Sequence, residues 1–189
     1  MTTEQIIHPA AKIRAGAILQ GSIIIGANTF VAAGAVIIAN GGTIIIGSST
    51  VIMENAVIRS STKFNCKIGN NVLIGPKAGI TGATIADCCF VATNGTVFQG
   101  SVLSTGTVLA VNGIIHIDTY CPANTFIPVN HIAFGKPARI YSPVEINDFH
   151  EDLRKTGFTK YVYGIDTSGL SNAEVYRQLT KKFLQSVPD

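Results

Sequence analysis

Aliphatic residues return along this chain every six positions. They fall first at Ile7, Ile13, Leu19, Ile25, Val31 and Ile37. The register skips across Ala39-Asn40-Gly41-Gly42-Thr43 and resumes at Ile46, Ile52 and Ile58. A second skip, over 60–67, leads to Ile68, Ile74 and Ile80, and a five-residue step then reaches Ile85. Val91 and Val97 follow, then a second short step to Val102, and then Val108, Ile114, Tyr120, Phe126 and Ile132. A strand alternates with a period of two and a helix with 3.6, so neither makes a run of sixes. The pattern predicts a hexapeptide repeat: each unit lays down one short strand and one turn, and stacked coils bury the aliphatic column. The first skip is expected to be a loop leaving the stack. Small residues sit in the turns, as in Ala27-Asn28, Ala33-Gly34, Asn55-Ala56, Asn70-Asn71, Asn94-Gly95 and Asn112-Gly113. Gly and Asn tolerate the positive φ of a tight corner, where a bulky residue costs about 1 to 2 kcal/mol.

Beyond Gly135-Lys136-Pro137-Ala138-Arg139 the texture changes. Ser142-Pro143-Val144-Glu145 reads as a capping-box start, with Ile146, Phe149 and Leu153 on one helical face and Gly157 as the stop. A looped segment is expected over 158–169. Ser171-Asn172-Ala173-Glu174 then repeats the capping pattern ahead of Val175, Leu179 and Phe183. The expected organisation is all-β with C-terminal helices: a parallel β-helix over 1–140 and a helical extension over 141–189, packed on the β-helix or on a neighbouring subunit, because two helices alone make too small a core.

Composition narrows the function classes. Hydrophobic residues make up 47% of the 189 residues and charged residues only 13%, which suits an oligomer hiding part of its outer face or a long aliphatic column. A net charge of +3 with scattered basic residues argues against nucleic acid as a partner. No apolar run is long enough to span a bilayer. The first residues, Met1 to Gln5, lack the basic start and apolar block of a secretory signal, so the expected location is cytoplasmic. Cys66, Cys88, Cys89 and Cys121 show no C-x-x-C spacing and read as small core thiols rather than metal ligands.

The stretch Ile68-Gly69-Asn70-Asn71-Val72-Leu73-Ile74-Gly75-Pro76-Lys77-Ala78-Gly79-Ile80-Thr81 resembles the metal-site segment of the gamma-class carbonic anhydrases. The resemblance covers roughly residues 7–145 and rests on the two skips, the two short steps and the G-x-P-A-R tail. It implies a left-handed β-helix forming a homotrimer, with zinc or iron held between subunits by three histidines. Here Arg59, Pro76 and Thr81 stand at the three histidine positions, Ile38-Ala39-Asn40 replaces an R-G-D segment and Met53-Glu54 replaces a Q-D pair. Arginine, proline and threonine cannot together ligate a divalent metal tetrahedrally. The stretches 37–47 and 52–58 look more like the metal-less small left-handed-helix subunits of dynactin and related bacterial proteins. The resemblance therefore implies a structural, interaction or small-ligand-binding trimer without metal, cofactor or carbonic anhydrase activity.

Other chemistry is sparser. Arg59, Glu54 and Lys77 would cluster about the lost metal position, either binding a small anion in the subunit groove or forming an intersubunit salt bridge, which is favoured because a buried charge needs a partner. His8, His116, His131 and His150 fall in no ligand spacing. His116, expected to point outward near Asp118, is the candidate base if the chain is an acyltransferase using acetyl-CoA, and His131 carries a weaker version of the same case. A surface histidine is the plainer reading. The 135–139 tail is similar to the one lying beside coenzyme A in hexapeptide acetyltransferases, and Pro137 also simply ends the last coil. A metal hydratase using other ligands is the least favoured alternative.

Overall fold

The computed structural model describes residues 4–185. The chain winds as a parallel β-solenoid with three flat faces. Face 1 is a seven-stranded parallel sheet built from Lys12–Ile13, Phe30–Val31, Val51–Ile52, Leu73–Ile74, Phe90–Val91, Val108–Leu109 and Phe126–Ile127. The other two faces share one sheet, because the strands Ile18–Ile25 and Val36–Ile46 turn the corner between them without a break. Face 2 carries residues 18–20 and 36–40, then Val57–Ser61, Gly79–Thr81, Thr96–Val97, Ile114–Ile115 and Ile132–Phe134. Face 3 carries Gln5–Ile7, residues 22–25 and 43–46, then Cys66–Ile68, Thr84–Ile85, Val102–Leu103 and Tyr120–Cys121.

The buried column holds Ile25, Val31, Ile37, Ile46, Ile52, Ile58, Ile68, Ile74, Ile80, Ile85, Val91 and Val97, as the six-residue register predicts. Above Val97 the register differs. Leu103 is 0% exposed whereas Val102 is 36% exposed, so the step from Val97 is a full six residues and the second short step does not exist. Leu109, Ile115, Cys121, Ile127 and Ala133 are accordingly inside, and Val108, Ile114, Tyr120, Phe126 and Ile132 turn outward. Each shifted pair sits side by side in the sequence, and a slip of one residue exchanges the two faces of a strand. The first short step, Ile80 to Ile85, is real. There Gly82, at φ +52, turns the corner where an added Cβ would lie 2.4 Å from the Cβ of Phe64.

The first skip does not leave the stack as a loop. Residues 39–43 continue the Val36–Ile46 strand, and Ala39 and Asn40 pair with Ser60 and Ser61. The extra residues are absorbed by a register shift in which Gln20 pairs with Ile38 and Ser22 with Thr43, and the Thr43 amide donates to Asn65 Oδ1 at 2.9 Å. One inner corner is polar. Thr29 donates to the Gly47 carbonyl at 2.6 Å and accepts from the Thr50 amide at 3.2 Å. Thr50 in turn donates to Gly69 at 2.8 Å and accepts from Val72 at 3.2 Å, so these fully buried hydroxyls are satisfied coil by coil. Cys66, Cys89 and Cys121 are buried and Cys88 is exposed, and burial pushes the Cys66 and Cys121 thiols up to about 12.

At the upper end Arg139–Tyr141 folds back antiparallel on Ile132–Phe134. The chain divides into two compact units, Met1–Ile146 and Asn147–Asp189. A short 3-10 turn, Pro143–Glu145, leads into α1 (Ile146–Thr156). The capping start forms as expected: the Ser142 amide and hydroxyl donate to Glu145 Oε2 at 2.9 and 2.7 Å, and these bonds hold the Glu145 carboxyl below its usual range. The segment expected to be a loop contains a further short helix, α2 (Phe158–Tyr163), bounded by left-handed Gly157 and Gly164. Aromatic contact between Phe158 and Tyr163 supports that single turn where the sequence offers no cap. In α3 (Asn172–Gln185) Ser171 and Glu174 repeat the capping bonds at 2.8 and 2.6 Å.

Candidate functional site

Two outward features of the solenoid carry chemistry. On face 1 the residue preceding each buried one points outward, and in successive coils these are Phe30, Val51, Leu73, Phe90, Val108 and Phe126. Their stacking follows from the ladder, which sets equivalent residues about 4.8 Å apart. The upper four line a cleft of about 510 Å³ with Met53, Pro76, Ala92, Ala110, Val111 and Val129, so its wall holds no charged or acid-base side chain. Phe126 is 58% exposed and Val129 50%. Large apolar groups in one continuous column are a different matter from scattered surface hydrophobes.

Face 2 carries the second feature. Phe98, His116 and Phe134 occupy equivalent positions in successive coils, each following a buried Val97, Ile115 or Ala133. The His116 ring stacks on Phe98 at 4.9 Å and meets Phe134 edge-on at 5.9 Å. Half-buried between them, the imidazole is pushed down to about 4 by desolvation of its charged form, so it is neutral at neutral pH. Asp118 pairs with Lys136 at 2.5 Å. His131 turns back on its own loop, with Nδ1 2.8 Å from the Val129 carbonyl.

The residues at the resembled metal positions separate into two groups. Arg59 and Thr81 are direct ladder partners on face 2, whereas Pro76 lies across the corner in the wall of the face 1 cleft. Glu54 and Lys77 stack at that same corner, the Lys77 amide donating to the Glu54 carbonyl at 3.0 Å. Arg59, Glu54 and Lys77 are all exposed, and among the described residues no ion pair joins their side chains within one chain. The described residues of one chain also contain no group of three His, Cys, Asp or Glu side chains placed to hold a metal ion.

A column ladder of Asn side chains runs beside the cleft and escaped the sequence reading. Asn94 donates to Asn112 and Asn112 to Asn130, each at 3.2 Å, and all three hold φ near +57. Their 18-residue spacing was the available signal.

The shape is matched by solved structures. A hexapeptide transferase family protein from Anaplasma phagocytophilum superimposes with a TM-score of 0.54 at 20% identity, covering 80% of this chain and 87% of that one. This is the hexapeptide-repeat left-handed β-helix. A putative acetyltransferase from Bacillus cereus is similar at 18% identity, with 97% and 94% of the two chains covered and a TM-score of 0.45. UDP-N-acetylglucosamine acyltransferase from Bacteroides fragilis gives 20% identity, 100% and 92% coverage and a TM-score of 0.41. No family model and no curated protein matches the chain. Within the described residues of this β-helix, no helix is long and apolar enough to cross a membrane.

Proposed function

We propose that this β-helix is a homotrimeric structural or interaction protein, shaped like the gamma-class carbonic anhydrases but without their hydratase activity. The observation that carries the reading is the face 1 column from Leu73 to Phe126, an apolar cleft that other copies of the chain would cover. Trimer formation would remove that column from water at roughly 25 cal/mol per Å². Arg59 and Thr81, side by side where metal ligands would be needed, leave hydratase chemistry without a ligand set. Sedimentation equilibrium tests the assembly: the chain should sediment at three times its monomer mass, and Phe90→Asp or Phe126→Asp should sediment as monomer with an unchanged circular dichroism spectrum. A monomeric parent chain would refute it. Carbon dioxide hydration appearing on addition of zinc or iron would refute the reading of Arg59, Pro76 and Thr81.

The second reading is an acyltransferase that takes acetyl-CoA and uses His116 as base, favoured by the half-buried neutral imidazole and by the transferase names of the similar structures. Against it, a base that protonates near 4 is weak at neutral pH. Calorimetric titration with acetyl-CoA separates the two. Saturable binding at one site per chain that turns over an acceptor, and loses turnover in His116→Ala, would install the acyltransferase. No heat at two temperatures leaves the structural reading in place.

A further inference from the structure

Glu54 and Arg59 belong to one coil of the solenoid. Glu54 follows the face 1 strand Val51–Ile52 at the edge of the apolar column, and Arg59 lies in the next strand of that coil, Val57–Ser61 on face 2. Both side chains are exposed, and neither has an ion-pair or hydrogen-bond partner among the described residues of its own chain. Val51 and Met53 lie beside Glu54 in its own coil with Lys77 stacked one coil above, and Val57 and Thr81 lie beside Arg59.

A ring of identical copies imposes a height rule on such groups. The apolar column on face 1 runs along the solenoid axis over several coils, so copies that cover it lie with their axes parallel. Rotation about an axis parallel to the solenoids leaves the height of every residue unchanged. A side chain therefore meets residues of its own coil level on the next copy, and a heterologous ring sets a different surface of that copy against face 1. Opposite charges in one coil, on two adjoining surfaces and unpaired among the described residues of the chain, satisfy both conditions. Lys77 stands one coil above Glu54 and is offset from the pair by one ladder step.

We infer that Glu54 of one copy pairs with Arg59 of the next, an intersubunit ion pair bordering the apolar cleft and fixing the axial register of the ring. The partner is a second copy of this chain, and the inference rests on the homotrimer proposed above. Apolar columns alone would also allow a screw arrangement in which each copy is displaced by one coil, about 4.8 Å, so that the ring fails to close, with little change in buried area per contact. A charge pair permitted at only one height removes that freedom, in the way charged positions set register in other repetitive assemblies.

The test is a charge reversal read by sedimentation equilibrium and native mass spectrometry on the full chain at low ionic strength. Glu54→Arg and Arg59→Glu should each raise the trimer dissociation constant by about tenfold or more, and the double reversal should restore it to within about threefold of the parent. Circular dichroism reports the fold independently, because both side chains are exposed. A parent trimer that ignores the single reversals, or a double reversal no better than either single, overturns the pair while leaving the trimer standing. A parent chain that is monomeric throughout overturns the trimer itself. Loss of affinity for inorganic phosphate in Arg59→Ala, with Glu54→Arg neutral for assembly, would instead assign Arg59 to a small anion.

Discussion

Asn112 offers a direct test of how the corners are built, because backbone and side chain both contribute there and can be separated. It sits at φ +56, donates through Nδ2 to Asn130 and accepts at Oδ1 from Asn94, each at 3.2 Å. Asn112→Ala removes two exposed amide bonds, worth about 0.5 kcal/mol each at the low end of the usual range. It also places an ordinary Cβ in the left-handed region for about 1 kcal/mol, giving a total near 2 kcal/mol. Asn112→Gly loses the same two bonds without the steric cost, so its destabilisation should be near 1 kcal/mol. Asn112→Val, β-branched, should cost about 3 kcal/mol. The predicted order, Gly better than Ala better than Val, inverts the order at an ordinary strand position such as Thr96, where Gly is the worst of the three. Urea denaturation at one fixed protein concentration, with unchanged slope, measures all of these. If Ala equals or exceeds Gly at 112, the corner does not impose its backbone geometry and the account of the turns is wrong.

Three further outcomes follow from the same structure. Ile115→Ala should cost about 2 to 5 kcal/mol by cavity formation, while Ile114→Ala, pointing outward, should cost under about 1 kcal/mol in the monomer; equal costs in urea melts would restore the register with Ile114 inside. Lys77 holds φ +58 in the corner column otherwise occupied by Gly34, Asn55, Asn94, Asn112 and Asn130, so Lys77→Gly should stabilise the chain by about 1 kcal/mol in the same assay. Protonation of His116 should give stability an acid-side slope: the unfolded imidazole takes its proton near 6.5 and the folded one near 4, so stability falls as pH drops through that window and is flat above it. With partial solvent screening the loss is on the order of 1 to 2 kcal/mol, and it should vanish in His116→Phe; a slope that survives the substitution belongs to other groups.

The six-residue register gave the coils and most of the core because burial in a stacked repeat is a local consequence of pattern. It slipped at Val102, Val108, Ile114 and Phe126, where the neighbouring Leu103, Leu109, Ile115 and Ile127 are equally apolar. Hydrophobicity cannot choose between adjacent apolar residues, but the corners can. The left-handed residue stands three positions before the buried one at Asn28 and Val31, Asn55 and Ile58, and Asn94 and Val97. The same spacing links Gly106 to Leu109, Asn112 to Ile115 and Asn124 to Ile127. Counting forward from Asn112 would have placed Ile115 inside. Capping at Ser142 and Ser171 was legible from four residues of sequence, whereas the turn of helix at Phe158–Tyr163 was hidden because a ring contact stabilises it without a cap. The His116 sandwich was hidden for another reason, since Phe98 and Phe134 lie 18 residues away on either side and only the coil length brings them together.

The high hydrophobic content admitted two explanations, an internal column or a covered exterior, and the fold divides the residues between them. Isoleucine dominates the column: Ile23, Ile25, Ile37, Ile46, Ile58 and Ile80, with Ile115 and Ile127 further up, are at most 1% exposed. They need no partner chain. Leu73, Phe90, Val108 and Phe126 are left over, standing outward in consecutive coils with only small or apolar neighbours. A fold that required only an apolar interior could carry polar residues at these four positions without disturbing the inward set, because strand alternation makes the two faces independent. The chain nevertheless places large apolar side chains there in one column, with the exposed Glu54 at its edge, so their burial is not required by the inward set of the core. Replacing all four by threonine, a good strand former, therefore separates the explanations: a folded monomer assigns the column to assembly, and an unfolded chain assigns it to the fold.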